Sequence, residues 1–309
     1  MVEDTAGVRA AGALRADAVL IGVTVVWGSS FVVVKNAFES SPPLQFLFWR
    51  FLIALALLSP LLFFRRRSPG VWRDGLVVGL LLAGGMTLQV LGIPRTTASK
   101  AGFLTGLSVV LTPFAAYLRS RKLPSAENAA GFALAAIGFL LLTFPSGGGP
   151  IGRGDVLVFG CGVVFAFYIV ELSERSARQD AVWLTAVQLA VVVVVAGLAS
   201  LLLRTTALSG LPEAAAESRR VLWHGTFLWS VLYLGSIGTV GTFFSQTWAQ
   251  GAMSATHAAI IFALEPVVAA IFGAWLLHDQ LGLRGMLGGA LVLAGIVVSE
   301  LRIRRTAAN

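Results

Sequence analysis

Three histidines, three tyrosines, a single cysteine and only 12% charged residues leave this chain little with which to do chemistry. One cysteine, Cys161, inside an apolar run excludes a disulfide framework, a CxxC redox pair and a thiolate metal site. No GxxxxGK[ST] phosphate loop, HExxH or GxSxG occurs, so nucleotide-driven work and the common hydrolytic sites are excluded as well. No cofactor or metal is expected. What fills the space is oil: 57% apolar residues, 34 glycines and 20 phenylalanines in 309 residues, with a mean hydropathy of +0.84. A water-soluble core does not need that much. The net charge of +8 sits in short polar breaks between apolar segments. There it fits anionic lipid headgroups, and no nucleic-acid partner is expected.

The chain is a degenerate tandem repeat. A shift of 157 carries Ala83–Ser108 onto Val240–Glu265, matching Gln89 with Gln246, Lys100 with His257 and Leu107 with Leu264, and later Gly131 with Gly288 and Gly138 with Gly295. Earlier the best shift is 138, which places Asp17 on Asp155 and Gly22 on Gly160. The 19-residue difference fits one insertion, the polar stretch Arg204 to Arg220. The expected fold is therefore an all-α integral membrane protein of ten transmembrane helices arranged as two inverted five-helix repeats.

The spans are expected at about 17–35, 43–64, 73–93, 97–118 and 126–144 in the first repeat (17–144). In the second (155–303) they fall at about 155–172, 182–203, 223–248, 254–277 and 283–301. A glycine-rich linker, 145–154, joins the repeats. Residues 1–16, a short mobile tail in this reading, and 304–309 are cytoplasmic tails. Counting Lys and Arg gives 14 in the breaks assigned to the cytoplasm and 8 on the other side, which orients the chain with both termini inside. Five spans per copy is odd, so the second copy enters from the opposite face. The expected location is the cell membrane, with monomer or homodimer both open.

Several motifs then carry a resemblance. Trp27-Gly28-Ser29-Ser30-Phe31, Trp49-Arg50-Phe51, the run Ala101 to Leu107 followed by Pro113, and Leu264-Glu265-Pro266-Val267 with Leu277-His278-Asp279-Gln280-Leu281 resemble the EamA family of the drug/metabolite transporter superfamily, over about residues 17–303. The second copy has Phe165-Ala166-Phe167-Tyr168 in place of the tryptophan-glycine motif, and Asp279 where such proteins often carry glutamate. The resemblance implies a ten-helix carrier that moves small metabolites by alternating access, often outward, without ATP. The competing classes are an integral membrane enzyme acting on a lipid and a non-catalytic subunit of a larger complex. The enzyme would need acids and histidines clustered at one interface, and His224, His257 and His278 are scattered in the sequence.

Candidate site residues follow from polarity at depth. Glu265 lies roughly 16 Å into its span, near the midplane. An ionised carboxylate there must face a wet cavity, pair with a cation or stay protonated, so Glu265 is the candidate for coupling and its alternative is a structural role beside Pro266. Arg50 sits about 10 Å deep, where it could meet a substrate carboxylate, although snorkelling or pairing with loop carbonyls is the favoured reading. Pro113 and Pro266 each leave a carbonyl of the preceding turn without its donor, which suits a hinge. Gln89 and Gln246, being repeat mates, could flank one ligand or bond between helices. Trp27, Ser29, Ser30, Thr105, Tyr168 and Thr242 complete the candidate cavity. Lys100 and His257 fall at span starts and are expected to mark the membrane surface.

Overall fold

The computed structural model describes residues 2–308 except 97, 122, 124, 144–150, 206–211, 266, 269–270 and 272–282. Every described element is helical. They are α1 (Val2–Ser40), α2 (Pro43–Leu62), α3 (Val71–Gly92), α4 (Ala98–Ser120), α5 (Ala126–Thr143), α6 (Arg153–Ser176), α7 (Ala181–Arg204), the short α8 (Pro212–Glu217), α9 (Gly225–Gly235), α10 (Thr242–Gln250), α11 (Ala255–Phe262) and α12 (Leu283–Ala308). Five stretches among them are long and apolar enough to cross a membrane: Pro43–Leu62, Val71–Arg95, Arg153–Ser176, Ala181–Arg204 and Phe227–Gln250.

Three boundaries depart most from expectation, and the last is the simplest: α12 runs on to Ala308 and leaves no separate tail at 304–308. The first helix begins at Val2 and not near Asp17, because its alanine-rich start has high helix propensity. The stretch expected as one helix over 223–248 is interrupted by a π-helical turn, Ser236–Gly241, between α9 and α10. The Arg50 guanidinium enters at this turn and binds the Gly238 carbonyl, and such insertion into the carbonyl ladder is a common cause of a local break.

Side-chain size sets the packing. α7 lies against both α2 and α3, and the Gly75-xxx-Gly79 spacing on α3 is the reason it comes so near. A Cβ on Gly75 would meet Val187 at 2.5 Å, and one on Gly79 would meet Val191 at 2.8 Å. The α5–α12 contact is reciprocal. A Cβ on Gly138 would lie 2.5 Å from the Gly288 carbonyl and 2.7 Å from the Val292 nitrogen. One on Gly295 would lie 2.5 Å from the Gly131 carbonyl and 2.8 Å from the Ala135 nitrogen. Shifting by 157 exchanges the two halves of that contact. The other contacts pair up similarly: α3 packs on α6 and α7 as α9 and α10 pack on α1 and α2, and α4 packs on α6 as α11 packs on α1.

The breaks between helices fall into two connected sets. In one, Arg65 pairs with Asp180 at 4.0 Å, Gln179 donates to the Pro69 carbonyl, and Asp74 is held by Arg175, Arg178 and Gln179. In the other, the Leu44 amide and the Ser200 hydroxyl donate to Glu217 and Arg219 donates to the Phe38 carbonyl; a separate contact joins Thr96 to Asp155.

Candidate substrate pathway

Helix breaks and small residues bring four polar groups into the interior. The first joins the two halves of the chain directly. Trp27 of α1 donates its indole N–H to the Thr242 hydroxyl at 3.0 Å and stacks on Phe262, with ring centroids 5.6 Å apart and planes at 29°. Its neighbour Gly28 permits this approach, since a Cβ there would come within 3.1 Å of the Glu265 carbonyl. An aromatic face with one polar edge can sandwich an organic solute while orienting it.

The second group lies around Glu265. Gln89 of α3 donates to the Thr105 hydroxyl of α4 at 3.4 Å. α6 approaches α4 closely here, since a Cβ on Gly162 would lie 2.5 Å from the Leu104 carbonyl and 3.5 Å from that of Thr105. The Glu265 carboxylate has no cationic partner among the described residues. Pro266 lies outside the described residues, as does the run from Leu277 to Leu281. Ser29 and Ser30 lie on α1, but their side chains are outside the description.

A third group was only partly visible in the sequence. The Tyr168 hydroxyl donates to Gln188 at 2.9 Å and lies 3.5 Å from the Gln246 amide oxygen. Gln246 donates to Gln250, Gln250 donates to the Ser173 hydroxyl and the Ile169 carbonyl, and Gln188 donates to Thr247. All are buried, so α6, α7 and α10 are joined by a continuous polar seam. Gln246 belongs to this seam, whereas Gln89 faces Thr105, and the two repeat mates share no partner. Gln188 and Gln250 escaped the sequence reading. The signal was a lone amide in the valine-rich run of 186–195, which only a polar partner on another helix explains.

Arg50 makes up the fourth. It donates to the Thr239 hydroxyl at 2.6 Å and to the Gly238 carbonyl at 3.0 Å, and its guanidinium lies 5.7 Å from the Phe51 ring. It is thus occupied with one hydroxyl and one carbonyl of the π turn. His257 corrects an expectation: it is buried, 2.9 Å from Asp17, and does not mark a surface. A buried carboxylate at the start of the α1 span supplies the partner that makes burial tolerable.

A cavity of about 310 Å³ opens near these groups, lined by Pro113, Ser120, Val170, Ser173, Glu174 and Thr256 among others. Pro113 is the one predicted residue that lines it among the described residues. Ser173 connects its wall to the Gln250–Gln246–Tyr168 seam. Glu174 at its rim pairs with Arg119 at 3.0 Å.

An all-helical bundle with five stretches long and apolar enough to cross a bilayer, internal polar seams and a cavity fits a multi-pass membrane transport protein. The chain belongs to the EamA-like transporter family, which matches residues 14–144 and 152–301. It is accordingly a transporter and not an enzyme. It is similar to an uncharacterized transporter of Archaeoglobus fulgidus, 28% identical over 302 residues that cover 98% of this chain and 91% of the relative. It is also similar to a probable amino-acid metabolite efflux pump of Salmonella typhimurium, 28% identical over 306 residues covering 92% and 95%. A protein of known crystal structure shares the fold, with a TM-score of 0.71 at 19% identity over 94% of this chain and 98% of its own.

Proposed function

We propose that this chain is a secondary transporter that exports small amphipathic or zwitterionic metabolites, amino-acid derivatives among them, by alternating access and without ATP. In this reading, units 17–144 and 155–303 are inverted five-helix repeats that together cross the cell membrane ten times, with both termini in the cytoplasm. The reciprocal α5–α12 contact and the division of the breaks into two connected sets support it. The observation that carries the transport reading is the meeting of Trp27 from one unit with Thr242 and Phe262 from the other. A binding surface shared by two units opens to one side or the other when they rock.

Each sequence candidate then has a role. Trp27, Thr242, Gln89, Thr105 and the Ser29–Ser30 step contact the solute, Tyr168 and Gln246 set the polar wall, Pro113 and Pro266 bend, and Glu265 exchanges the coupling proton. Arg50 anchors the π turn that presents Thr242. The amino-acid character of the proposed cargo comes from the relative in Salmonella typhimurium. The test is efflux from proteoliposomes made with the purified chain, loaded with labelled neutral and cationic amino-acid derivatives. Accelerated release by wild type, reduced in Trp27→Ala, supports the reading. Release no faster than from protein-free vesicles for the whole panel would reject it.

A further inference from the structure

The four arginines at one end of α2 and α3 are not equivalent. Arg65 pairs with Asp180. The other nearby acid, Asp74, is already taken by Arg175, Arg178 and Gln179. Arg66, Arg67 and Arg73 are exposed, and none has a carboxylate within ion-pairing distance among the described residues. Three exposed arginines without an ion-pair partner among the described residues therefore lie in or just beside one short break.

That break is held in shape. The Asp180 amide donates to the Ser68 hydroxyl, Gln179 donates to the Pro69 carbonyl, and the Trp183 indole donates to the Arg65 carbonyl, while Gly70 turns the chain at φ +78°. The arginines are presented from a fixed loop and need little ordering to bind. Directly beside them the surface changes character. Phe63 and Phe64 are 89% and 84% exposed and Trp72 is 55% exposed, with its ring 6.2 Å from that of Trp183. Below Trp72, at intervals of one helical turn, Leu76 and Leu80 continue an exposed apolar stripe down α3.

We propose that this end of the α2–α3 hairpin is a binding site for one anionic phospholipid: Arg66, Arg67 and Arg73 hold its phosphate, and Phe63, Phe64 and the α3 stripe carry its acyl chains. Guanidinium suits phosphate because its fork donates two parallel hydrogen bonds to two oxygens. The adjoining aromatic and leucine surface selects a lipid over a free phosphate ester, which could use only the arginines. Aromatic rings at the boundary and cations just outside it are the arrangement that a headgroup and its chains require. The site lies apart from the substrate pathway and rests only on the chain being embedded in a bilayer.

The experiment is native mass spectrometry of the purified full chain, titrated with phosphatidylglycerol and, separately, phosphatidylcholine. A cation near an anionic surface is worth about fivefold in affinity. Arg66→Gln with Arg67→Gln together should therefore lower the preference for phosphatidylglycerol by about 25-fold, and Arg73→Gln alone by about fivefold. Arg153→Gln with Arg220→Gln, in breaks other than this one, should leave it unchanged. An equal loss in that second pair would mean diffuse attraction and overturn the site, as would an unchanged preference in the first. Displacement of the lipid by glycerol phosphate at similar concentration would reduce it to a free-anion site and overturn the lipid assignment. Should the paired variant fail to fold, Arg73→Gln and the salt dependence of the wild-type preference remain. A preference indifferent to ionic strength rejects the proposal.

Discussion

Trp27 and Glu265 are where single residues decide most. Trp27→Phe keeps the stack on Phe262 but removes the indole hydrogen bond to Thr242, a net loss of about 0.5–1.5 kcal/mol for such a bond. The expected outcome is a fully folded protein with efflux slowed several-fold. Rescue by Thr242→Val, which removes the stranded hydroxyl acceptor, would show the loss to be structural and count against a solute contact. Glu265→Gln preserves volume and removes the exchangeable proton. Efflux driven by an imposed pH gradient should stop in this variant, while exchange of solute at equal pH continues. Identical responses of wild type and variant to the gradient would dismiss Glu265 as the coupling group. Glu265, Trp27 and Tyr168 were legible in the sequence because polar or aromatic residues stand out in apolar runs. His257 was misjudged because its partner, Asp17, is 240 residues away, and no local pattern encodes that distance. Arg50 was visible as deep, but whether it met a solute or a carbonyl depended on a π turn that the sequence of 235–241 does not announce.

At the scale of elements, the insertion in the second half behaves as a clasp. α8 delivers Glu217 to the first turn of α2, where it accepts from the Leu44 amide at 3.1 Å and from the Ser200 hydroxyl at 2.6 Å. Leu44 sits in the turn whose amides have no helical partner, so Glu217 caps α2 from another element. Burial pushes the Glu217 carboxyl up from its ordinary value, and the bonds from Ser200 and Leu44 oppose this only in part. A carboxyl raised on docking binds its proton more tightly when docked. Its contribution is therefore complete below the ordinary carboxylate range and declines as pH rises through the raised value. Amide exchange at 43–46 and 213–217, corrected for intrinsic rates, should accelerate across that window in wild type and stay level in Glu217→Gln. Protection that grows with pH would reverse the sign and refute the assignment. The α5–α12 crossing makes a separate demand, because backbone lies where a side chain would go. Gly138→Leu and Gly295→Leu should each destabilise the fold by about 1–3 kcal/mol or more, and by similar amounts if the crossing is symmetric. The glycine equivalence was readable from the 157-residue shift. That the related glycines face each other's helices was not, since a repeat gives correspondence and leaves contact undetermined.

For the whole molecule the question is which breaks share a side, and α2 answers much of it. Its 20 residues span about 30 Å at 1.5 Å each, the thickness of the hydrocarbon layer. At its start Leu44 touches Glu217 of the break between α7 and α9. Just beyond its end Arg65 touches Asp180 of the break between α6 and α7. Those two breaks then lie at opposite ends of α2, and α7, packed along α2, runs between them. The 63–70 break shares a side with 177–180, and the 41–42 break with 205–224. This is the relation that inversion demands, because the repeat exchanges the second of these pairs with the first. The side with Arg65, Arg66, Arg67, Arg119, Arg175 and Arg178 is the more basic and should face the cytoplasm. Reporters fused after Arg67 and after Lys122 should accordingly read cytoplasmic, and reporters within 145–155 and 204–220 extracytoplasmic. A uniform reversal of all four would flip the orientation and keep the inverted architecture. A reporter near residue 150 that reads on the same side as the one after Arg67 would remove the odd span number of the first unit, and with it the inversion on which alternating access between the two units depends.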